Sequence, residues 1–598
     1  MQQNHHQNLV GFIWNIANKL RGPYRPPQYR RVMLPMIVLR RFDLVLAENQ
    51  KKVLAEKERL EARGITGPAL EKALSRIATD GRKQELFNTS GFTFEKLLAD
   101  PPNIAGNVIA YIQGFSPRAR DIFDKFDFEA EIAKLDEANR LYLILKEFCS
   151  SEIDLSPKTI SNLQMGYLFE ELVRKFNEQA NEEAGDHFTP REVIRLMVQL
   201  LFTDEEGIFA PGIYRSIYDP TAGTGGMLSE AEKYICGDGN HEGLNPDAHI
   251  ELFGQEYNPE SYAICCSDLL IKDEPIDNLI YGDTLGVKDA KNKNNGFVPH
   301  DGHPEKKFHY MLSNPPFGVE WKPEEDFVRE EYDDQGFSGR FGAGLPRIND
   351  GSLLFLQHMI SKMEPNGSRI GIVFNGSPLF TGDSGSGESE IRKWIIENDW
   401  LECIVSLSDR MFFNTGITTY IWIVTNKKSN DRKGKVQLID GTSFSTSMRK
   451  NLGDKGKYIS DEQIQELIKI YQNNQENEFC KIYQNNFFGY TKVVIEQPLI
   501  EDGDLKTDKQ GNPKADTSKR DSERVSLSEN IEEYYNLEVK PNLPESWMDR
   551  SKDKIGYEIN FTKYFYKFTP LRSLEDISQD LKSLDEEINQ LSIDMNNE

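Results

Sequence analysis

The spacing of hydrophobic residues divides the chain into a helical first part and a later part in which strands and helices alternate. From Phe12 and Ile16 onward, apolar residues recur with a helical period. Beyond Ile213, short apolar runs alternate with amphipathic stretches, which is typical of parallel strands connected by helices. We therefore predict an α/β fold with an all-helical N-terminal domain at residues 1–165 and an α/β domain at residues 166–480.

Beyond residue 480 the pattern becomes mixed and then ends in a regular repeat. Residues 501–530 are polar and rich in charge, so we predict a poorly ordered linker inside a mixed region at 481–570. The last apolar residues are spaced alternately by three and four positions: Leu574, Ile577, Leu581, Leu584, Ile588, Leu591 and Met595. This heptad pattern predicts a coiled-coil helix at 571–598 that docks on the helices of another chain. A packed surface helix can imitate such a repeat over shorter stretches.

Four of the short apolar runs end in a polar residue, namely Asp219, Glu256, Asp283 and Asn314. Parallel strands end at one edge of a sheet, and open α/β sheets bind their ligands there. We therefore expect the four side chains to converge on one site. In such a site Glu256 is expected to accept hydrogen bonds from ribose hydroxyls, and Asp283 from an adenine amino group.

A glycine-rich turn follows Asp219 and opens a predicted helix. Its residues are Pro220, Thr221, Ala222, Gly223, Thr224, Gly225 and Gly226. Glycines let a ligand approach the backbone, and the start of a helix offers free N–H groups. Leu228 occupies the place of the third glycine of the dinucleotide-binding fingerprint, so a nucleoside ligand without pyrophosphate is predicted. The gap to Glu256 exceeds the usual ~20 residues, and an inserted loop at 236–248 explains the excess.

The fourth apolar run leads directly into Asn314-Pro315-Pro316-Phe317. Two consecutive prolines fix the backbone after Asn314 in an extended form. The amide oxygen of Asn314 and the carbonyl of Pro315 can both accept from an amino group, while Phe317 can stack on the ring that carries it. The alternative interpretation is a turn that ends a strand and places a phenylalanine in the core.

Charge limits how this chain can bind nucleic acid. The net charge of −25 argues against a protein that wraps nucleic acid with its whole surface, but it allows a local basic contact. The stretch from Arg21 to Arg31 interleaves arginines with tyrosines and is followed by Arg40 and Arg41. These residues could contact phosphates or an acidic partner. A solvated arginine face that closes the helical bundle explains them equally well.

The remaining composition predicts a reduced, soluble protein. Six cysteines form no CxxC pair and show no histidine spacing of the zinc-binding kind, so we expect buried thiols and no metal site. No apolar run is long enough to cross a membrane, and no charged-then-apolar leader is present. A cytoplasmic location is therefore expected.

The order of these motifs resembles that of the amino-methyltransferases of DNA. The turn His187-Phe188-Thr189-Pro190-Arg191 comes first, followed by the glycine-rich turn and then by Asn314-Pro315-Pro316-Phe317. More closely, the chain resembles the modification subunit of type I restriction–modification systems over nearly its whole length. This resemblance implies a Rossmann-like S-adenosylmethionine-dependent methyltransferase sheet, with S-adenosylmethionine as methyl donor and adenine N6 in DNA as acceptor.

The resemblance also assigns residues. The implied catalytic residues are Asn314, Pro315, Pro316 and Phe317. The implied cofactor-binding residues are Phe188, Thr189, Asp219, Thr221, Ala222, Gly223, Thr224, Gly225, Glu256 and Asp283. The target adenine would leave the duplex stack and be received by Phe317.

The sequence shows no target-recognition domain after the predicted sheet and no helicase or nuclease signature. We therefore expect a separate specificity subunit, contacted partly through the C-terminal helix, with a second copy of this chain and a restriction subunit as further possible partners. Two alternatives remain open at this point. An RNA or protein-glutamine methyltransferase uses the same Asn-Pro-Pro-aromatic sequence, and a catalytically silent scaffold could keep the fold.

Overall fold

The structure is a computed structural model that describes residues 2–78, 85–150, 152–179, 189–237, 242–288, 296–316, 318–413, 415–501, 504–508, 510–566 and 573–597. The described chain divides into two compact units, Met1–Ile559 and Asn560–Glu598. Within the described residues, no helix combines the length and the apolar composition that crossing a bilayer requires.

The first part of the larger unit is helical, as its hydrophobic period predicts. Its helices are α1 (Gln2–Asn18), α2 (Arg30–Leu46), α3 (Gln50–Glu61), α4 (Pro68–Ala78), α5 (Phe94–Leu98), α6 (Ile104–Gln113), α7 (Pro117–Lys125), α8 (Phe128–Glu137) and α9 (Leu141–Phe148). Phe42 on α2 packs against Phe115 and Phe123 to form an aromatic centre. Burying these rings stabilises the bundle beyond the area term alone.

The last two arginines of this basic region differ from both sequence interpretations, whereas Arg21, Arg25 and Arg31 are exposed and leave both open. Arg40 and Arg41 are buried, so they are neither a solvated face nor a phosphate contact. Arg40 donates to Asp43 at 2.6 Å, and Arg41 donates to the carbonyl of Leu155 and to the side chain of Asn162. These partners accept from the terminal nitrogens of the two guanidinium groups.

The α/β part follows. Its helices are α10 (Asn162–Gln179), α11 (Arg191–Phe202), α12 (Gly226–Cys236), α13 (Pro259–Lys272), α14 (Glu325–Gln335), α15 (Ser352–Ser361), α16 (Ser377–Phe380), α17 (Gly387–Glu397) and α18 (Asp461–Asn473). Its strands are β1 (Tyr214–Asp219), β2 (His249–Glu256), β3 (Leu279–Tyr281), β4 (Tyr310–Ser313), β5 (Arg369–Phe374), β6 (Leu401–Leu407), β7 (Tyr420–Thr425), β8 (Lys435–Gly441), β9 (Thr446–Leu452), β10 (Lys455–Tyr458) and β11 (Cys480–Gln484).

Nine of the described strands form one mixed sheet in the order β11-β8-β6-β7-β5-β4-β1-β2-β3. The pairs β1–β2, β2–β3, β1–β4, β4–β5 and β6–β8 are parallel, whereas β7 is antiparallel to both β5 and β6. Strands β5, β6 and β7 are buried along their whole length, which explains their continuous apolar runs. As a result β1 to β6 and β8 all end on the same side, here called the carboxyl edge.

The rest of the larger unit is more ordered than the predicted linker. It contains β12 (Gly489–Glu496), β13 (Ile500–Glu501), β14 (Asp504–Leu505), β15 (Asp521–Ser526), α19 (Ile531–Tyr534) and β16 (Trp547–Tyr557). Strand β15, inside the stretch predicted to be a linker, pairs with β12 in antiparallel register. Val525 is buried beside Val493 and Ile495, and this contact supports a strand whose other residues are mostly polar.

The smaller unit contains α20 (Phe561–Phe565) and α21 (Leu574–Asn597). Helix α21 covers the heptad repeat, and its described apolar side chains are exposed, from 40% for Ile577 to 83% for Leu574. The side chains of Leu591 and Met595 lie outside the described part. An exposed apolar seam agrees with docking on a partner, but coiled-coil formation stays a prediction.

Candidate active site

A cavity of about 570 Å³ opens at the carboxyl edge, where the sequence predicts that polar strand ends converge. The predicted residues that line it are Thr189, Asp219, Thr221, Ala222, Gly223, Thr224, Glu256, Asp283, Asn314, Pro315 and Pro316. Phe188 and Phe317 lie outside the described residues. Gly225 lies in the adjoining glycine-rich turn and is not among the residues that line the cavity.

Hydrogen bonds connect the end of β1 to the end of β4 through the glycine-rich turn. The carboxylate of Asp219 accepts from the backbone N–H of Thr221 at 3.0 Å. The hydroxyls of Thr221 and Ser313 lie 2.8 Å apart and form a hydrogen bond, so the glycine-rich turn is held against the residue that precedes Asn314. Burial raises the pKa of Asp219 to about 7, and the neighbouring Glu256 carboxylate adds to this effect.

Glu256 joins the glycine-rich turn to the end of β2. One carboxylate oxygen accepts from the N–H of Gly223 and the other from the N–H of Asn258, both at 2.7 Å. Gly223 and Gly225 have φ values of 54° and 82°, in the left-handed region that favours glycine. A Cβ at residue 225 would approach the sulfur of Cys265 to 2.7 Å, so this position also lacks room for a side chain.

Asp283, at the end of β3, forms a carboxyl pair with Glu324. One oxygen of Asp283 accepts from the N–H groups of Leu285 at 2.9 Å and Gly286 at 3.0 Å. Oδ2 is buried, and among the described residues only a protonated Glu324 can donate to it. Burial raises the pKa of Asp283, and burial together with the Asp283 charge raises the pKa of Glu324 to about 7. A proton is therefore shared between these carboxyls near neutral pH.

Asn314 follows the last residue of β4, and its amide has two different environments. Nδ2 donates to the hydroxyl of Thr189 at 2.9 Å. Oδ1 is buried, and no donor among the described residues reaches it. Because an unsatisfied buried acceptor is costly, this oxygen is suited to receive a donor from a bound molecule. The cavity residue Thr189 thus orients the amide in addition to lining the wall.

The cavity suits a cationic nucleoside. Its volume falls within the ~300–1,000 Å³ typical of ligand sites, and Asp219, Glu256, Asp283 and Glu324 give it a carboxyl-rich wall. A sulfonium and an ammonium group are compatible with that wall, whereas a pyrophosphate would be repelled by it. When Glu324 is deprotonated, Oδ2 of Asp283 can accept from an adenine amino group, and the carboxylate of Glu256 is of the kind that accepts from ribose hydroxyls. S-adenosylmethionine therefore fits the residues present.

Some lining residues were not identified from the sequence. Tyr257 directly follows Glu256 and is 63% exposed at the cavity. Trp321 and Glu324 come from the segment after Gly318, whose irregular pattern gives no periodic signal. In the sequence, Tyr257 is indicated as a site residue only by its position directly after Glu256, which ends an apolar run.

The mixed sheet, with its cavity at the carboxyl edge, defines a Rossmann-like α/β class of protein. The family model described as N-6 DNA Methylase matches residues 161–497, and that described as HsdM N-terminal domain matches residues 9–148. Because the first match covers more than half of the sequence, the chain belongs to the N-6 DNA methylase family. The predicted family and the α/β fold with a helical N-terminal region are thereby confirmed.

Individual relatives agree with this assignment. The type I restriction enzyme MjaIX methylase subunit of Methanocaldococcus jannaschii is 24% identical over 82% of this chain and 81% of its own length. The MpnII methylase subunit of Mycoplasma pneumoniae is 21% identical over 78% and 83%. The methyltransferase subunit of a type I restriction–modification system from Streptococcus thermophilus has a similar fold, with a TM-score of 0.58 and 21% identity over 80% of this chain and 96% of that one.

Proposed function

We propose that this chain is the modification subunit of a type I restriction–modification complex and transfers a methyl group from S-adenosylmethionine to adenine N6 in DNA. One observation carries the proposal: the buried, unpartnered Oδ1 of Asn314 at the end of β4, in a carboxyl-rich cavity. Membership of the N-6 DNA methylase family supports the reaction. DNA as substrate implies action in the cytoplasm.

The chain's own residues prepare the acceptor nitrogen. The exocyclic nitrogen of adenine is a poor nucleophile because its lone pair is delocalised into the ring. Asn314 Oδ1 and the Pro315 carbonyl accept from its two N–H groups, which favours a tetrahedral nitrogen and stabilises the positive charge that develops there. Phe317, by resemblance, stacks on the extruded base.

The carboxyl-rich wall holds the cofactor. S-adenosylmethionine, when bound, supplies an electrophilic methyl group on a positively charged sulfur. We assign the ribose hydroxyls to Glu256, the adenine amino group to Asp283, and the remaining contacts to Phe188, Thr189, Asp219 and the glycine-rich turn. Positioning donor and acceptor in one cavity supplies much of the rate enhancement.

Sequence recognition is assigned to a separate specificity subunit. We propose that it is contacted through α21, whose heptad side chains are exposed, and that a second copy of this chain joins the complex. The proposed organisation is a helical domain at 1–165, a catalytic domain at 166–480, a mixed region at 481–570 and a docking helix at 571–598.

Replacing Asn314 by alanine tests the proposal. Because Asn314→Ala removes an acceptor used by the reacting amino group, we expect methyl transfer to fall about 100- to 1,000-fold. Cofactor affinity, measured by calorimetry, should remain within about threefold, since no cofactor contact is assigned to this side chain. Labelled methyl incorporation into unmodified DNA, with mass spectrometry of the product base, measures the activity.

Asn430→Ala is the matched control, because Asn430 is exposed between β7 and β8, at the end of the sheet opposite the carboxyl edge. It should leave both quantities unchanged. Near-normal turnover by Asn314→Ala, or a wild-type product other than N6-methyladenine in DNA, would contradict the proposed function.

A further inference from the structure

The carboxyl edge carries opposite charge on its two sides. After Glu324 in the cavity wall, α14 contains six acidic residues, Glu325, Asp326, Glu330, Glu331, Asp333 and Asp334, and one arginine. On the other side, the segment 446–458 forms the antiparallel hairpin β9–β10, which contains four basic residues and one acidic residue. A polyanion that brings a base to the cavity is therefore repelled by α14 and attracted by the hairpin.

The topology places this hairpin at the carboxyl edge. It follows β8, which is parallel to β6 and ends on the same side. The loop that follows β6 holds it through backbone hydrogen bonds. The N–H groups of Gly456 and Lys457 donate to the carbonyl of Arg410 at 2.9 and 3.1 Å, and that of Asp454 donates to the carbonyl of Phe413 at 3.0 Å. The hairpin is thus fixed on the sheet rather than extending away from it.

A buried ion pair also connects the hairpin to the residues around Asn314. The ammonium group of Lys455 pairs with Glu192 in the first turn of α11 and donates to the carbonyl of Met411 at 2.8 Å. Thr189, which accepts the hydrogen bond from Asn314, precedes Glu192 by three residues. Only three positions along the chain therefore separate the anchor of the hairpin from the contact that orients the amide.

Two positive charges on the hairpin face solvent. Arg449 and Lys450 are exposed, and within the described residues no ion pair or hydrogen bond engages either side chain. By contrast Lys455 is buried with Glu192, and Lys457 pairs with Asp409. The exposed charges are available to a partner, whereas the other two hold the hairpin in place.

We propose that the β9–β10 hairpin is a DNA-backbone contact in which Arg449 and Lys450 bind phosphates beside the extruded adenine. The inference rests on the proposed function, because it is the base-receiving cavity that requires DNA at this edge. Contacts with phosphates position the duplex without reading its sequence, which agrees with recognition by a separate subunit. Such contacts also offset the repulsion between DNA and a chain of net charge −25.

The salt dependence of DNA binding tests this contact. The full chain, co-purified with its specificity subunit, is assayed on unmodified duplex DNA from 50 to about 200 mM salt, a range in which phosphate contacts dominate affinity. Each phosphate contact contributes about 0.9 to the slope of log K against log salt. Arg449→Gln/Lys450→Gln should therefore lower the slope by about 1.8 and weaken binding at low salt, with cofactor affinity unchanged.

The matched control is Lys306→Gln/Lys433→Gln, which removes the same charge from exposed residues that precede β4 and β8, opposite the carboxyl edge. Equal slopes for the two double variants would overturn the inference. The inference would also be overturned if Arg449→Gln/Lys450→Gln no longer co-purified with the specificity subunit while the slope of log K against log salt stayed unchanged. The hairpin would then contact protein rather than DNA. A wild-type complex that does not methylate DNA would instead refute the proposed function.

Discussion

The hydrogen bond between Asn314 and Thr189 leads to a specific prediction about Thr189. Valine has nearly the shape of threonine but lacks the hydroxyl, so Thr189→Val removes the acceptor that lies 2.9 Å from Asn314 Nδ2. When Oδ1 accepts from the target amino group, Nδ2 must face residue 189. In the variant, the amide orientation that allows reaction therefore leaves the Nδ2 donor of Asn314 without an acceptor.

The expected magnitude follows from that loss. Leaving a buried donor unsatisfied costs about 1–3 kcal/mol. At about 1.4 kcal/mol per factor of ten, the rate of methyl transfer should fall about 5- to 150-fold. The penalty arises in the orientation that reacts, so it should appear in kcat rather than in the KM for DNA. Thr189→Ser keeps the oxygen and should stay within about threefold of wild type.

Single-turnover methyl transfer and calorimetric titration with S-adenosylmethionine separate the two possible roles of Thr189. A positioning role predicts that kcat falls more than cofactor affinity does, because Thr189 is also assigned a contact with the cofactor. If Thr189→Val instead weakens cofactor binding as much as it slows turnover, the residue acts mainly as a cofactor ligand, as the resemblance implies. If kcat is unaffected, the amide does not depend on this hydrogen bond and the reasoning fails.

Two further predictions concern pH and assembly. Below pH 7 a protonated Glu324 donates to Asp283 and occupies the acceptor meant for the cofactor, so cofactor affinity should rise between pH 6 and 8. Glu324→Ala should flatten this rise in calorimetry, whereas Glu305→Ala, at an exposed residue outside the cavity wall, should keep it. Asp219, with a pKa of about 7, titrates in both variants, and equal pH profiles would refute the shared proton. Deleting residues 571–598 should abolish co-purification with the specificity subunit while cofactor binding persists, and unchanged co-purification would exclude the docking role.

The convergence of strand ends was predictable because it depends on a regular feature. An apolar run that ends in a polar residue marks where a parallel strand reaches the carboxyl edge, and Asp219, Glu256, Asp283 and Asn314 all line one cavity there. The spacing of Glu256 was unusual, yet its two hydrogen bonds place it beside the glycine-rich turn. The insertion lengthens the connection between the strands without moving the end of β2.

Other features depend on contacts that periodicity does not encode. Glu324 reaches Asp283 from an irregular segment, so only the folded chain shows the carboxyl pair. The burial of Arg41 depends on backbone carbonyls far along the chain, which a run of charges cannot indicate. Strand β15 is mostly polar and gains its order from pairing with β12.

The antiparallel strand β7, inside the mixed sheet, has a consequence for how the substrate surface can grow. Although β7 lies between β5 and β6 in the sheet and runs in the opposite direction, β6 and β8 run in the same direction as β5. Each strand added in this way lengthens the rim around the opening and supplies another connecting loop, while the strands that build the pocket stay untouched. The surface that binds a long polymer and the pocket that acts on a single base can therefore change independently within one sheet.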